Sequence, residues 1–383
     1  GFSSSTIEWR IDFGILSTLY GVDEIVFVET ATHGYGGVVS ETRLDRNPWF
    51  NDLINLHLSG KNPIHIKTEY PIFGKITSTV TVDGFSIEDG EDIFYVEPAS
   101  IVLSLDKQIR QVQSLVHWQG GEVPGKMKIG RISVSSAMEK ITPFIWDGRT
   151  AMELESFKVD DQSEQFEVKK ALIETSQVFD RDQNALTLNM GIGVDQIIEH
   201  GSEMLQNAYV QIGLHRMDAA AYENLAKTYT QMMNAIMKEL PEKGFDPDTM
   251  NEVMKQEMAG RGMQLLAEAE KFLKKGFGIT ISDLNATLPQ GKVNGRFNLT
   301  LKRDMTMAGF APVMMKPSLA LDIFTLDSKL SLPAELVRNP SLTQPFYPGM
   351  QTGLFVRQEE MLTHKAETRE GKLFVNSKEV VWQ

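Results

Sequence analysis

"ITISDLNATLPQGKVNGRFNLTL", residues 279–301, decides how the chain is read. In its second half Val293, Gly295, Phe297, Leu299 and Leu301 alternate with Lys292, Asn294, Arg296, Asn298 and Thr300. Successive side chains of a strand point to opposite faces, so this spacing writes one apolar face and one polar face. "PQGK" (289–292) supplies the turn of a hairpin. Before the turn the alternation slips, because Ile279 and Ile281 are followed by Leu284, Ala286 and Leu288. One extra residue in a strand is what a β-bulge supplies, and bulges bend sheets. The same slip recurs in "AMELESFKV" (151–159), between Leu154 and Phe157. Together these predict a curved sheet with one face made to meet something apolar.

Outward from that stretch, the first two hundred residues read the same way. "TIEWRIDF" (6–13) aligns Ile7, Trp9, Ile11 and Phe13, and "NALTLNMGIGV" (184–194) aligns Leu186, Leu188, Met190, Ile192 and Val194. Short alternating segments separated by Gly, Pro, Asp and Asn indicate antiparallel sheet. From Asp218 the period changes: Tyr222, Leu225, Tyr229, Met232 and Ile236 recur at helical spacing, with Asp218 as N-cap and an end near Leu240. "PEKGFD" (241–246) breaks the chain, and Asp246-Pro247 restarts it as N-cap and first helical residue. The second helix is expected to reach about Lys275 and stop at Gly276, a length of roughly 43 Å. Beyond the opening hairpin, "SLALDIFTLDSKLSLP" (318–333) continues the sheet and "LPAELVRNP" (332–340) holds one or two helical turns. "NPSLTQPFYPG" (339–349) is a linker or ordered loop, and the closing hairpin turns at Glu370-Gly371. The expected fold is α+β: a long, curved, mainly antiparallel sheet with a long helical hairpin packed on one face. Residues 1–208 form its β-rich first region, 209–278 the hairpin and 279–383 a second β-rich region.

Composition excludes several functions. The 383 residues carry a net charge of −13, whereas nucleic-acid binding needs a basic stripe that releases counterions. There are no cysteines, so thiolate chemistry and thiolate metal sites are absent. No apolar run approaches the ~20 residues that span a bilayer. Seven histidines show no helical metal spacing; His57 and His65 lie nearest each other, on two expected strands. "GGEVPGKM" (120–127) nearly matches a phosphate-binding loop, but Met127 replaces the magnesium-holding hydroxyl and strand follows it, so a polar hairpin turn is expected. "GIGVDQ" (191–196) has Gln196 in place of the last glycine of a dinucleotide fingerprint, and no G-x-S-x-G nucleophile elbow is present. No cofactor, metal or catalytic residue is therefore expected.

Methionine points to a different role. Met232, Met233, Met237, Met250, Met254, Met258 and Met263 all fall in the two helices. Their flexible, polarizable side chains either fill a core between helices and sheet or line a surface that adapts to varied apolar partners. The expected ligand site is a groove between sheet and hairpin, lined by Tyr229, Met232, Met233, Ile236, Met254, Met258, Phe297 and Leu299. Its ligand would be apolar and lipid-like; the alternative is a scaffold that binds another envelope protein or forms a homodimer.

"YVQIGLHRMDAAAYENL" (209–225), "LPQGKVNGRFNLTL" (288–301) and "EGKLFVNSKEV" (370–380) resemble the YdgA-like family of bacterial proteins, domain of unknown function 945. "ATHGYGG" (31–37) is similar to an early His-Gly element of that family, with Tyr35 where its pattern has proline. The resemblance covers most of the chain and brings no catalytic residues. It implies a periplasmic body in a Gram-negative bacterium, held to the inner membrane by an N-terminal anchor that this chain, which starts at Gly1, does not include.

Overall fold

The computed structural model describes residues 3–12, 24–45, 48–58, 60–161, 164–243, 247–338 and 348–381. Two compact units emerge, Gly1–Ser163 with Ala226–Leu265, and Glu164–Leu225 with Leu266–Gln383. They cut across the three sequence regions: most of both helices groups with the early strands, and the strands between 164 and 218 group with those after 277. Every described strand pairing is antiparallel.

Among its described residues the first unit contains thirteen strands: β1 (Ser3–Asp12), β2 (Glu24–Gly34), β3 (Gly37–Asp45), β4 (Ile64–Pro71), β5 (Ile76–Val82), β6 (Phe85–Asp89), β7 (Asp92–Val96), β8 (Ala99–Leu105), β9 (Gln111–Trp118), β10 (Gly121–Val123), β11 (Met127–Ile129), β12 (Ile132–Lys140) and β13 (Trp146–Asp160). Helix α1 (Pro48–His57) adds Phe50 and Ile54 to the core. Hydrogen bonding orders the strands β1-β2-β3-β4-β5-β8-β9-β12-β13, and β11, β10, β7 and β6 continue from β13. This ladder is open.

The register explains that branching. Each of β5–β6, β7–β8, β9–β10 and β11–β12 is one long strand interrupted for two residues, and the interruptions lie opposite one another. Glu97 N–H reaches Gly120 C=O at 2.9 Å and Gly130 N–H reaches Ser156 C=O at 2.7 Å across them. The phase slip between Leu154 and Phe157 is the same row on β13, where pairing passes from β12 to β11. Gly120 has φ +108°, and a Cβ there would sit 2.1 Å from the Ile129 carbonyl oxygen, so only glycine fits this bend. On one face Ile66, Val80, Ile101, Val116, Val134 and Met152 form a cross-strand row.

Helices α2 (Ala219–Lys243) and α3 (Pro247–Glu270) touch through buried Met232, Ile236 and Val253, with Met233 and Leu265 against them. Asp218 is the expected cap: its Oδ1 accepts the Ala221 N–H at 2.8 Å. Asp246 lies outside the described residues. Two helix ends differ from expectation. The first helix continues past Leu240 to Lys243, and the second stops at Glu270, five residues before Lys275. There the Lys271 and Phe272 N–H groups bond back only three residues, to Glu268 and Ala269, which tightens and ends the helix. Gly276, at φ +88°, instead turns the chain into the next strand, its N–H bonding to Leu301 C=O.

The second unit contains β14 (Gln165–Asp180), β15 (Ala185–Glu199), β16 (Ser202–Asp218), β17 (Gly278–Leu288), β18 (Gly291–Leu301), β19 (Phe324–Pro333), β20 (Val356–Gln358), β21 (Met361–Arg369), β22 (Lys372–Val375) and β23 (Lys378–Glu379). They pair in the order β14-β15-β16-β17-β18-β19-β21; β20 and β22 share the outer side of β21, and β23 follows β22. The "PQGK" turn joins Leu288 to Gly291, and the bulge expected after Ile281 appears as a register shift to Leu284. The closing hairpin turns at Glu370 and Gly371, both at positive φ. "SLALDI" is not strand: Pro317–Leu319 and Ala320–Ile323 form short helical turns around buried Ile323, and sheet begins at Phe324. Ala334–Arg338 is a short 3-10 helix, as expected. Of the proline-rich stretch, 339–347 lie outside the described residues.

Candidate functional site

The face that opens the sequence reading extends well beyond its own hairpin. Register places Met190, Ile212, Ile281 and Phe297 in one row across β15–β18. Beside it run Ile173, Ile192, Val210 and Leu284, and on the other flank Leu188, Leu214, Ile279, Leu299 and Leu326. Ile173, Met190, Ile192 and Ile212 each keep 43–44% of their surface exposed, and Ile279 keeps 39%. Isolated exposed apolar side chains are ordinary; a contiguous set at successive cross-strand positions marks a surface with a use.

The opposite face is polar, and across β14–β17 several of its side chains bond to one another. Tyr209 donates to Glu174 at 2.7 Å, Asn189 to Ser176 at 3.2 Å, and His215 Nε2 lies 2.7 Å from Thr280 Oγ1. Burial lowers the His215 pKa below the usual imidazole value. Here the glycines of "NMGIGV" find their purpose. A Cβ at Gly191 would lie 2.5 Å from the Tyr209 hydroxyl, so glycine lets the Tyr209 side chain cross the strand to Glu174. "GIGVDQ" is therefore mid-strand, and "GGEVPGKM" is the β10–β11 hairpin with Val123 paired to Met127. His57 ends α1 rather than lying on a strand, while His65, on β4, contacts Asp83 at 3.0 Å.

The eight residues expected to line a groove divide among different environments. Met232 and Ile236 are buried where the helices touch, with Met233 half-buried beside them. Tyr229, Met254 and Met258 point outward, 53%, 44% and 48% exposed. Phe297 and Leu299 are half-buried on the apolar sheet face of the second unit. The five most exposed members of that face were missing from the expected lining. For Met190, Ile192 and Ile279 the signal was the alternation at 184–194 and 279–281, which betrays a face but not whether anything covers it; Ile173 and Ile212 join that face through the register.

Chemically the face is quiet. Near its end, Ser328 Oγ contacts His364 Nε2 at 2.8 Å and His364 Nδ1 lies 2.9 Å from Leu354 C=O. Ser328 is buried and both ring nitrogens are engaged, as suits a fixed packing contact. Among the described residues, no three His, Asp or Glu side chains converge as a metal site, and no helix is long and apolar enough to cross a membrane.

Residues 4–382 match a family described as "Bacterial protein of unknown function (DUF945)". The chain belongs to this family. No curated protein matches it. Because the match spans nearly the whole sequence, both the apolar face and the two helices of this DUF945 protein lie inside the family's extent.

Proposed function

We propose that this DUF945 protein is a non-enzymatic component of the bacterial cell envelope that binds an apolar, acyl-chain ligand. The observation that carries the reading is the open face of β15–β18, whose three central rows hold aliphatic and aromatic side chains; on β14 Ile173 extends one row, while Thr175 and Gln177 end the other two. An acyl chain needs no hydrogen-bond partners, and the sheet backbone beneath is already paired. A typical protein interface instead carries about one hydrogen bond per 100–200 Å², and these rows offer almost none. The periplasmic, inner-membrane-anchored setting rests on the family resemblance.

The helices supply a second adaptable apolar surface. Gln264 Nε2 donates to Thr228 Oγ1 at 3.3 Å near one end, and Met232 and Ile236 meet Val253 farther along, which supports a reading of α2 and α3 as a hairpin whose helices run back along each other. In that arrangement the stripe Tyr229-Met233-Met237, each one residue past buried Thr228, Met232 and Ile236, and the stripe Met250-Met254-Met258, whose Met254 follows buried Val253, turn to the same side.

A protein-binding reading is favoured by one other feature. Edge strand β1 exposes Ile7, Trp9 and Ile11 and pairs only with β2 among the described strands, which suits addition of a partner's strand or a second copy.

The test is native mass spectrometry of protein purified from bacterial cells, followed by titration with a fluorescent fatty acid. Co-purifying lipid and saturable uptake are expected. Absence of both would exclude the acyl-ligand reading, and crosslinks to another protein through β1 would favour the scaffold.

A further inference from the structure

The polar face of the second unit carries an arrangement that sheet stability does not favour. Arg296 on β18, Lys329 on β19 and Lys365 on β21 stand directly opposite one another in the ladder. Like charges at opposed positions repel, and their mutual approach costs stability. The next row offsets part of this: Asp327 accepts Arg296 at 3.1 Å, and Glu367 accepts Lys365 at 3.1 Å. Lys329, between them, has no carboxylate partner among the described residues.

A cleft of about 950 Å³ opens over Lys329 and Lys365 and is walled on another side by Lys378. Its neutral polar floor is the row Asn294, Ser331 and Thr363. The one acidic side chain lining it, Glu379, is held by Lys372 at 3.0 Å. The wall is fixed in place by Asn376. Its Oδ1 accepts the Lys365 N–H at 2.9 Å, and its Nδ2 donates to the carbonyls of Gly353 and Leu354 at 2.9 and 3.1 Å. The cleft is thus a concentration of positive charge on a chain of net charge −13, held in shape before any ligand arrives.

We infer that this cleft binds a phosphate ester, with Lys329, Lys365 and Lys378 around the phosphate and the Asn294-Ser331-Thr363 row against its hydroxylated remainder. Lysines act as compact point charges and suit a phosphate approached from several directions. The volume falls in the range of small-molecule sites and far exceeds a bare anion. The phosphate ester is either a free small molecule or the headgroup of a phospholipid. The site lies on the face opposite the acyl platform and stands or fails independently of it.

The experiment is isothermal titration of the full chain with glycerol 3-phosphate, alongside flotation with phosphatidylglycerol and phosphatidylcholine vesicles. Saturable binding of glycerol 3-phosphate supports a free ligand; selective flotation with phosphatidylglycerol alone supports the headgroup. Lys329→Gln should weaken whichever interaction is seen at least tenfold. In ligand-free protein the same substitution should raise Tm by about 1–2 °C, because it relieves the repulsion. Lys61→Gln, at an exposed lysine far along the sequence, should change neither. No binding in either assay, or undiminished binding by folded Lys329→Gln protein, would overturn the inference.

Discussion

Replacing Ile192 and Ile212 together with alanine separates a ligand platform from ordinary surface. The two lie in adjacent rows of the open face, Ile192 opposite Val210 and Ile212 opposite Met190, and each is 43% exposed. Truncating a fully buried isoleucine to alanine costs about 2–5 kcal/mol; scaled to the buried part, each site should lose about 1–3 kcal/mol of stability. An acyl chain covering the remaining surface would gain roughly 0.6–1.3 kcal/mol from each side chain, taking 1.5–3 kcal/mol for complete burial. That is about a three- to ninefold loss of affinity per site, and about ten- to eightyfold for both if they act independently. Displacement of a fluorescent fatty acid measures the affinity, and thermal melting verifies the fold; if the double variant unfolds, Ile212→Ala alone carries the test. Leu186→Ala is the control: this side chain has no exposed surface, so it should lose about 2–5 kcal/mol of stability with unchanged affinity in the folded fraction. A folded double variant that binds within twofold of the parent would refute the platform. Loss on Met254→Ala instead would move the ligand to the helices.

Two further outcomes test the supporting structure. Burial pushes the Asp218 carboxyl up, but the hydrogen bonds from Lys274 and the Ala221 N–H, with the Lys274 charge, outweigh it and hold the pKa below the usual 3.8. Asp218→Ala should therefore cost about 1–2 kcal/mol in urea denaturation near neutral pH, as lost helix caps do. Since the folded pKa is the lower one, the gap between parent and variant should persist above the unfolded carboxylate pKa and narrow as pH falls through the folded value. Gly120→Ala should lower stability by about 1–3 kcal/mol through positive-φ strain and collision with the Ile129 carbonyl; a melting curve like the parent's would mean that the bend is not confined to glycine.

The sequence by itself determined what depends on near neighbours along the chain. Alternation at 293–301 fixed the strand and its two faces, the slips at Leu154 and Ile281 marked the interruptions, and Asp218 announced a helix cap, because each follows from the geometry of a few consecutive residues. Family membership was legible in the same way. The helix end at Glu270 escaped, because the lysine run and Gly276 suit a longer helix locally while the Gly276–Leu301 hydrogen bond draws the chain into sheet. Only tertiary structure decided that Met232 and Ile236 are buried while Met254 and Met258 are exposed, since the stripes they share with their neighbours have the same period. The same holds for the apolar face: alternation says that Ile192 and Ile212 share a side, but exposure is set by what packs there. The cation row is the clearest case. Arg296, Lys329 and Lys365 are more than thirty positions apart, and nothing short of the strand register could place them abreast.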